Sequence, residues 1–287
     1  MFRLAHISDI HLSKLTFHPL KLLSKRWIGI LNQILFRKKT YTKDQVYNFC
    51  DRISSLDIQY LLVTGDISTT SLETEFIEAK KIMSSVEDMG IKTIVLPGNH
   101  DNYTKAAYKK QLFYKYFQNT TKNIYSLKDD GVEAGHLHGN WWYIAIDTTY
   151  ASSIVSSRGN FSHQIESTLK KVIQDIPKEA SIILANHFPF TSQMGIRKNL
   201  MRGTHLRNFL YNNPSIKIYL HGHTHSHCIA DLRSSGLPII LDSGRTAHNA
   251  IGSWNLLEFE NDTTCKITVY KWKNYSWQED NEKTFHW

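Results

Sequence analysis

The chain has 287 residues, of which 41% are hydrophobic and 21% charged, a composition that excludes an intrinsically disordered or collagen-like protein. The formal net charge of +8 predicts attraction for anions, whether phosphorylated small molecules, nucleic acid or acidic lipids, and does not choose among them. Three scattered cysteines, Cys50, Cys228 and Cys265, make neither a disulfide framework nor a cysteine zinc site and suit a reduced, cytoplasmic protein. The start carries no secretory h-region, and no apolar run reaches the ~18 residues of a spanning helix.

In chain order, a strand over residues 3–8 leads into Asp9-Ile10-His11. Residues 15–36 have amphipathic helical spacing, with Trp27, Ile28, Leu31, Ile34 and Leu35 on one face. The periodicity then predicts a helix over 43–56 and a buried strand over 59–64 that stops at Gly65-Asp66. A helix over 72–89, stopped by Gly90, precedes a strand over 91–96 that runs into Pro97-Gly98-Asn99-His100-Asp101. Next come a helix over 103–117, strand-like pieces near Ile124 and over 141–147, and a helix over 162–175. A strand over 181–186 ends at His187, and a helix over 198–211 follows. A strand over 217–220 stops at His221-Gly222-His223-Thr224-His225. Four strands, over 228–232, 237–242, 254–259 and 265–272, close the chain. Strands alternating with helices predict an α/β layered fold with an added antiparallel portion, in one domain over 1–287.

Five strands thus end in residues that can ligate a metal, and in open α/β sheets ligands bind outside the carboxyl ends of the strands. Asp9 and His11, two apart, would share one face of an extended segment and reach one ion. Gly65-Asp66 alone is a common turn or cap. Gly98-Asn99-His100-Asp101 is more telling, because a turn needs Gly and Asn but not His and Asp as well. His223 and His225 form a second two-apart pair. Together these carboxylate and imidazole groups are the donors expected for Mn, Fe, Zn or Co.

These five ordered segments, Asp9-Ile-His11, Gly65-Asp66, Gly98-Asn99-His100-Asp101, Asn186-His187 and Gly222-His223-Thr224-His225, resemble those of the calcineurin-like metallophosphoesterases. The resemblance spans residues 9–225. It implies a four-layer α/β/β/α sandwich and two divalent or transition metal ions. The first would be held by Asp9, His11 and His225, the second by Asn99, His187 and His223, with Asp66 bridging them. It further implies hydrolysis of a phosphodiester or phosphoanhydride by a metal-bridging hydroxide, on a small-molecule, cyclic-nucleotide or lipid-linked nucleotide substrate. A phosphomonoesterase or nuclease of the same fold, and a non-catalytic metal-binding scaffold, are the competing readings. The short Gly65-Asp66-Ile67-Ser68 segment lacks the longer pattern of the serine/threonine phosphatases. His100 would stabilise or protonate the leaving oxygen, as the resemblance suggests. Asp101 would orient His100, favour its protonated form, or cap the next helix. Arg245, after a strand that ends near the site, is a candidate for binding substrate phosphate. His221 reads as a strand end behind the ligands and His6 as packed. His136, His138, His205, His227 and His248 read as loop or surface residues.

Residues 14–43 contain eight Lys or Arg and no Asp or Glu. Interleaved with Leu20, Leu23, Trp27, Leu31 and Phe36, they predict a basic amphipathic helical insert after the first strand. It would form a cap on the domain, contact an anionic membrane surface or a lipid-linked substrate, or, least favoured, contact nucleic acid. The membrane reading would put the protein at the inner face of a membrane.

Overall fold

The computed structural model describes residues 1–14, 43–118, 125–151, 156–191, 195 and 197–287. The first sheet contains β1 (Phe2–Ile7), β2 (Tyr60–Val63), β3 (Lys92–Val95), β12 (Ser253–Asn261), β13 (Thr264–Lys273) and β14 (Ser276–His286), in the order β14-β13-β12-β1-β2-β3. The second contains β4 (Val132–His138), β5 (Trp141–Ile146), β7 (Ser181–Ala185), β9 (Ile216–His221), β10 (Cys228–Asp231) and β11 (Ile239–Asp242), in the order β10-β11-β9-β7-β5-β4. Both are mixed. Strands β1, β2 and β3 run parallel, as do β5, β7, β9 and β11, and antiparallel strands flank each parallel block. A small parallel pair joins β6 (Gly159–Asn160) to β8 (Leu200–Met201).

Alternation along the strands builds the layers. On β12, Trp254 and Phe259 are an odd number of residues apart and so face opposite ways. Phe259 meets Trp141 of the second sheet, ring centroids 4.5 Å apart. Trp254 meets Phe49 of helix α1 (Lys43–Ser54), 5.2 Å away. The second sheet alternates likewise. Ile183, Ile218 and Leu241 join the core shared with the first sheet. Their neighbours Leu184, Tyr219 and Ile240 pack with Leu169 and Val172 of α6 (His163–Asp175) and Leu206 of α7 (Gly203–Tyr211). Helix α2 (Glu73–Glu87) joins α1 in covering the first sheet through Phe76, Ile82 and Val86. The result is the expected α/β/β/α order.

Several local expectations change. The helix expected over 103–117 is two short ones, α3 (Lys105–Lys109) and α4 (Leu112–Tyr116), separated at Gln111, whose φ of 46° lies in the left-handed region. The expected helix over 198–211 starts only at Gly203, because Leu200 and Met201 pair with β6 instead. A short helix, α5 (Leu127–Asp130), and strands β4 and β14 were not legible. In β14 only Trp277 and Phe285 are buried, so the edge strand lacks a hydrophobic stripe. The strand expected near Ile124 and the amphipathic insert lie outside the described residues. No helix among the described residues is long and apolar enough to cross a membrane.

The first turn of α2 contains a buried acid. Glu75 accepts backbone N–H groups from Thr70 (2.9 Å) and Leu72 (3.0 Å), yet burial pushes its carboxyl up to about 7 from an ordinary value of 4.5. Between those pH values the folded chain keeps a proton that the unfolded chain releases, so this group lowers stability as pH rises through the window. The contribution is about 3 kcal/mol at most. Urea unfolding at pH 5, 6 and 7 should therefore show a falling midpoint, and Glu75→Gln should flatten that fall.

Candidate metal centre

Parallel pairing continues past the ends of β1 and β2. Asp9 N donates to Gly65 O (3.0 Å), His11 N to Asp66 O (2.9 Å) and Leu12 N to Ile67 O (2.7 Å). This run of bonds lays the loop with Asp9 and His11 directly along the loop with Asp66. In the second sheet Asn186 N donates to Leu220 O and Gly222 N to His187 O, which sets His187 beside the His223–His225 loop. The two pairs of loops meet where the chain approaches itself closely. A Cβ on Gly222 would lie 1.9 Å from Ser8 Oγ and 2.6 Å from Asp9 Oδ2, and one on Gly98 would lie 2.2 Å from Asp66 Oδ1. Only glycine fits at either position.

The candidate ligands reach inward through unusual backbone. Asp9 (φ 53°), His11 (50°), Asp66 (54°), His223 (70°) and His225 (61°) all occupy the left-handed region. The extended geometry expected for Asp9 and His11 is therefore replaced by two left-handed residues. Each such residue costs roughly 1–3 kcal/mol and persists only where its surroundings enforce it.

Donor atoms of Asp9, His11, Asp66 and His225 all lie within 4.8 Å of one another. His11 Nε2 is 3.2 Å from His225 Nε2. Asp9 Oδ1 is 2.9 Å from His225 Nε2 and 3.5 Å from His11 Nε2, but no donor is aligned on that fully buried oxygen. A buried carboxylate oxygen without a hydrogen bond is costly. Burial opposes its charge, yet His225 and His11 hold the Asp9 carboxyl well below the usual carboxylate range. Its other oxygen accepts from Ser8 Oγ (2.8 Å) and His223 N (3.0 Å). The set fits a cation.

A second group adjoins the first. Asn99 Oδ1 is 3.2 Å from His187 Nε2, which is 3.5 Å from Asp66 Oδ2. His187 Nδ1 donates to Thr64 O (2.7 Å), which fixes the tautomer and leaves the Nε2 lone pair to face the group. His223 lies beside it, ring centroids 5.1 Å apart, but turns Nε2 to Lys198 O (2.8 Å). His223 can therefore donate a lone pair only through Nδ1. Burial pushes His187 down to about 4 and His223 down to about 3, so both rings are neutral at pH 7, the state a metal requires.

His100 is half-buried, its Nδ1 2.6 Å from Thr69 O, one face stacked on Tyr103 and its edge against His11. Asp101 is not directed at that ring. Its buried carboxylate accepts from Ile67 N, Ser68 N, Ser68 Oγ and Gly98 N at 2.8–3.2 Å, and Thr104 rather than Asp101 caps α3. Asp101 thus binds the Asp66 loop to the Asn99 loop. Arg245 donates from Nε to His225 O (3.1 Å). His248, expected in a loop or at the surface, lies in the loop between β11 and β12 and is buried there, and its Nδ1 accepts from Ala250 N and Ile251 N. His136, His138 and His205 are exposed. His6 is buried and its Nε2 lies 3.0 Å from Thr64 Oγ1.

Asp242 escaped the sequence reading, although it too ends a strand. It is fully buried, and its carboxylate accepts from Thr224 Oγ1 (2.5 Å) and Gly244 N (2.8 Å) and lies 3.4 Å from His221 Nδ1. Thr224 stands between His223 and His225, so Asp242 clamps the loop that carries both. Asp242→Asn should weaken metal retention about 10–100-fold against a competing chelator. An unchanged affinity in a folded variant would show that the clamp does not hold the loop.

A family model described as Calcineurin-like phosphoesterase matches residues 2–227. A comparison with curated protein sequences gives no match. Among solved structures, a dimetal phosphatase from Danio rerio superposes with a TM-score of 0.66 at 11% identity, covering 99% of this chain and 98% of that one. A purple acid phosphatase from yellow lupin (Lupinus luteus) seeds gives 0.62 at 12% identity, covering 99% of this chain and 53% of that one. At such identities these likenesses speak for the fold. The family match takes in the parallel strands β1 to β3 of the first sheet and β5, β7 and β9 of the second, with every strand end that bears a candidate ligand, so the chain belongs to the calcineurin-like phosphoesterase family and is a metal-dependent phosphoesterase.

Proposed function

We propose that this chain hydrolyses a phosphodiester or phosphoanhydride with two metal ions. Asp9, His11 and His225 would hold the first ion and Asn99, His187 and His223 the second, with Asp66 shared. The observation that carries this reading is the position of Asp66. Its Oδ2 lies 3.8 Å from His11 Nε2 and 3.5 Å from His187 Nε2, while Oδ1 accepts the His100 backbone N–H at 2.7 Å. One carboxylate oxygen faces both donor groups, as a shared ligand must. Mn, Fe, Zn or Co bound there would activate water near neutral pH and offset charge on the phosphate.

The remaining tasks fall to side chains. His100 commits Nδ1 to Thr69 O, so hydrogen bonding or proton transfer to the leaving oxygen falls to Nε2. Tyr103 and His11 hold the ring against rotation by their contacts. Arg245, anchored on His225 O through Nε, offers its other N–H groups to a phosphate oxygen. Asp101 acts as a positioning residue through the two loops it joins.

The test is hydrolysis of methyl p-nitrophenyl phosphate and p-nitrophenyl phosphate by the full chain with added Mn²⁺. Metal-dependent turnover, with the diester preferred, is expected. Bound metal without turnover of either substrate would favour a non-catalytic scaffold. Asn99→Ala or His187→Ala should cost at least about 100-fold in rate, and wild-type rates would contradict the ligand assignment. His100→Ala should lower kcat about 10²–10⁴-fold, more for an alkoxide leaving group than for p-nitrophenolate. An equal loss for both leaving groups would remove the leaving-group role.

A further inference from the structure

A cavity of about 430 Å³ opens where β8 and the first turn of α7 meet Arg158 and the loop after His187, within the range of small-molecule sites, about 300–1,000 Å³. It adjoins the candidate metal centre. Phe190 and Thr191, three and four residues past His187, form one wall. Asn199 belongs to another and follows Lys198, whose carbonyl oxygen lies 2.8 Å from His223 Nε2. Ser157 N donates to Arg197 O (3.0 Å) and Gly159 pairs with Leu200. These contacts hold the segment bearing Arg158 alongside the one that leads into α7.

The charge of these walls is one-sided. Residues 148–165 and 180–204, which supply the whole lining, contain Arg158, Arg197, Lys198 and Arg202 and no Asp or Glu. Arg202 is committed, donating to Phe161 O and to the Glu166 carboxylate of α6. Arg158 is not. Its one hydrogen bond among the described residues is a backbone one, from N to Ser156 Oγ (3.4 Å), and its Nε is buried without a partner. A partly buried guanidinium with no acid to pair with is a donor set awaiting an anion. Helix α7 adds donors of the same polarity. It begins at Gly203 with no side-chain cap, and the His205 and Leu206 N–H groups turn back to Arg202 O. The N–H groups of Gly203 and Thr204, both in the lining, donate to no described residue. That end of a helix favours negative charge. The Thr204 hydroxyl is a further donor, and Phe190, Leu200 and Met201 lower the local dielectric around the site.

We propose that this cavity binds a phosphate group, held by Arg158 and the first turn of α7, as a second anion site beside the metal centre. The group is carried by the substrate or is free inorganic phosphate. Equilibrium dialysis of radiolabelled inorganic phosphate against the Mn²⁺-loaded full chain counts the sites. Wild type should bind two phosphates, one at the metals and one in the cavity. Arg158→Gln should weaken one of them about ten-fold or more, the effect of a lost charge-assisted hydrogen bond, and leave the other unaltered. Thr204→Glu should do the same, because an acid in the first turn suits the helix while its carboxylate competes for the site. Both variants should hydrolyse methyl p-nitrophenyl phosphate at the wild-type rate. Alkanediol bisphosphates of increasing length separate the two sources. For a substrate-borne phosphate, one of them should inhibit wild type at least about ten-fold more tightly than methyl phosphate, and Arg158→Gln should lose that advantage. For free phosphate, no bisphosphate should gain. Phosphate binding that neither Arg158→Gln nor Thr204→Glu alters would overturn the proposal. If the metal centre binds no phosphate, wild type shows a single site that both variants still weaken, so failure of that centre is told apart from failure of the cavity.

Discussion

Everything in this fold serves one awkward juxtaposition: electron-rich atoms from separate loops are held face to face. Two imidazole nitrogens stand 3.2 Å apart, and a buried carboxylate oxygen lies 2.9 Å from one of them with no aligned donor. A cation would meet all three atoms at once, and burial would strengthen that attraction because the local dielectric is low; without one the arrangement depends on the surrounding chain. It persists because backbone hydrogen bonds run past the strand ends and fix the loops, and because left-handed residues are locked by their neighbours.

Two kinds of support can be distinguished. Main-chain carbonyls set the imidazole tautomers: Thr64 O accepts from His187, Thr69 O lies at hydrogen-bond distance from His100 Nδ1, and Lys198 O meets His223 Nε2. Buried carboxylates fasten loops. Asp101 joins the Asp66 and Asn99 loops, and Asp242 clamps Thr224 between two histidines. The mixed sheets matter because their parallel strands deliver all these loops to the same edge, β1 to β3 from one sheet and β7 with β9 from the other. Asn102, three residues past Asn99, donates from Nδ2 to Thr149 Oγ1 and so ties the Asn99 loop to the segment after β5.

The layered α/β order was legible because buried parallel strands read as short apolar runs ending in polar turns, as in residues 59–66 and 91–101. Errors fell where local pattern and tertiary context disagree. Residues 103–117 keep helical spacing, but Gln111 breaks them. β14 has too few buried residues to show alternation, and it is a strand because β13 offers a partner along ten residues.

The sequence alone determined which donors exist and their order along the chain, because metal chemistry demands carboxylate, carboxamide and imidazole groups and strand ends are where they can converge. It could not determine their distances or tautomers, nor the left-handed turns that aim Asp9, His11 and Asp66. Those depend on main-chain carbonyls and on contacts between residues far apart in the chain, such as Asp242 with Thr224 and Asn102 with Thr149. A backbone carbonyl has the same chemistry at every position, so only the tertiary structure decides which one meets a histidine.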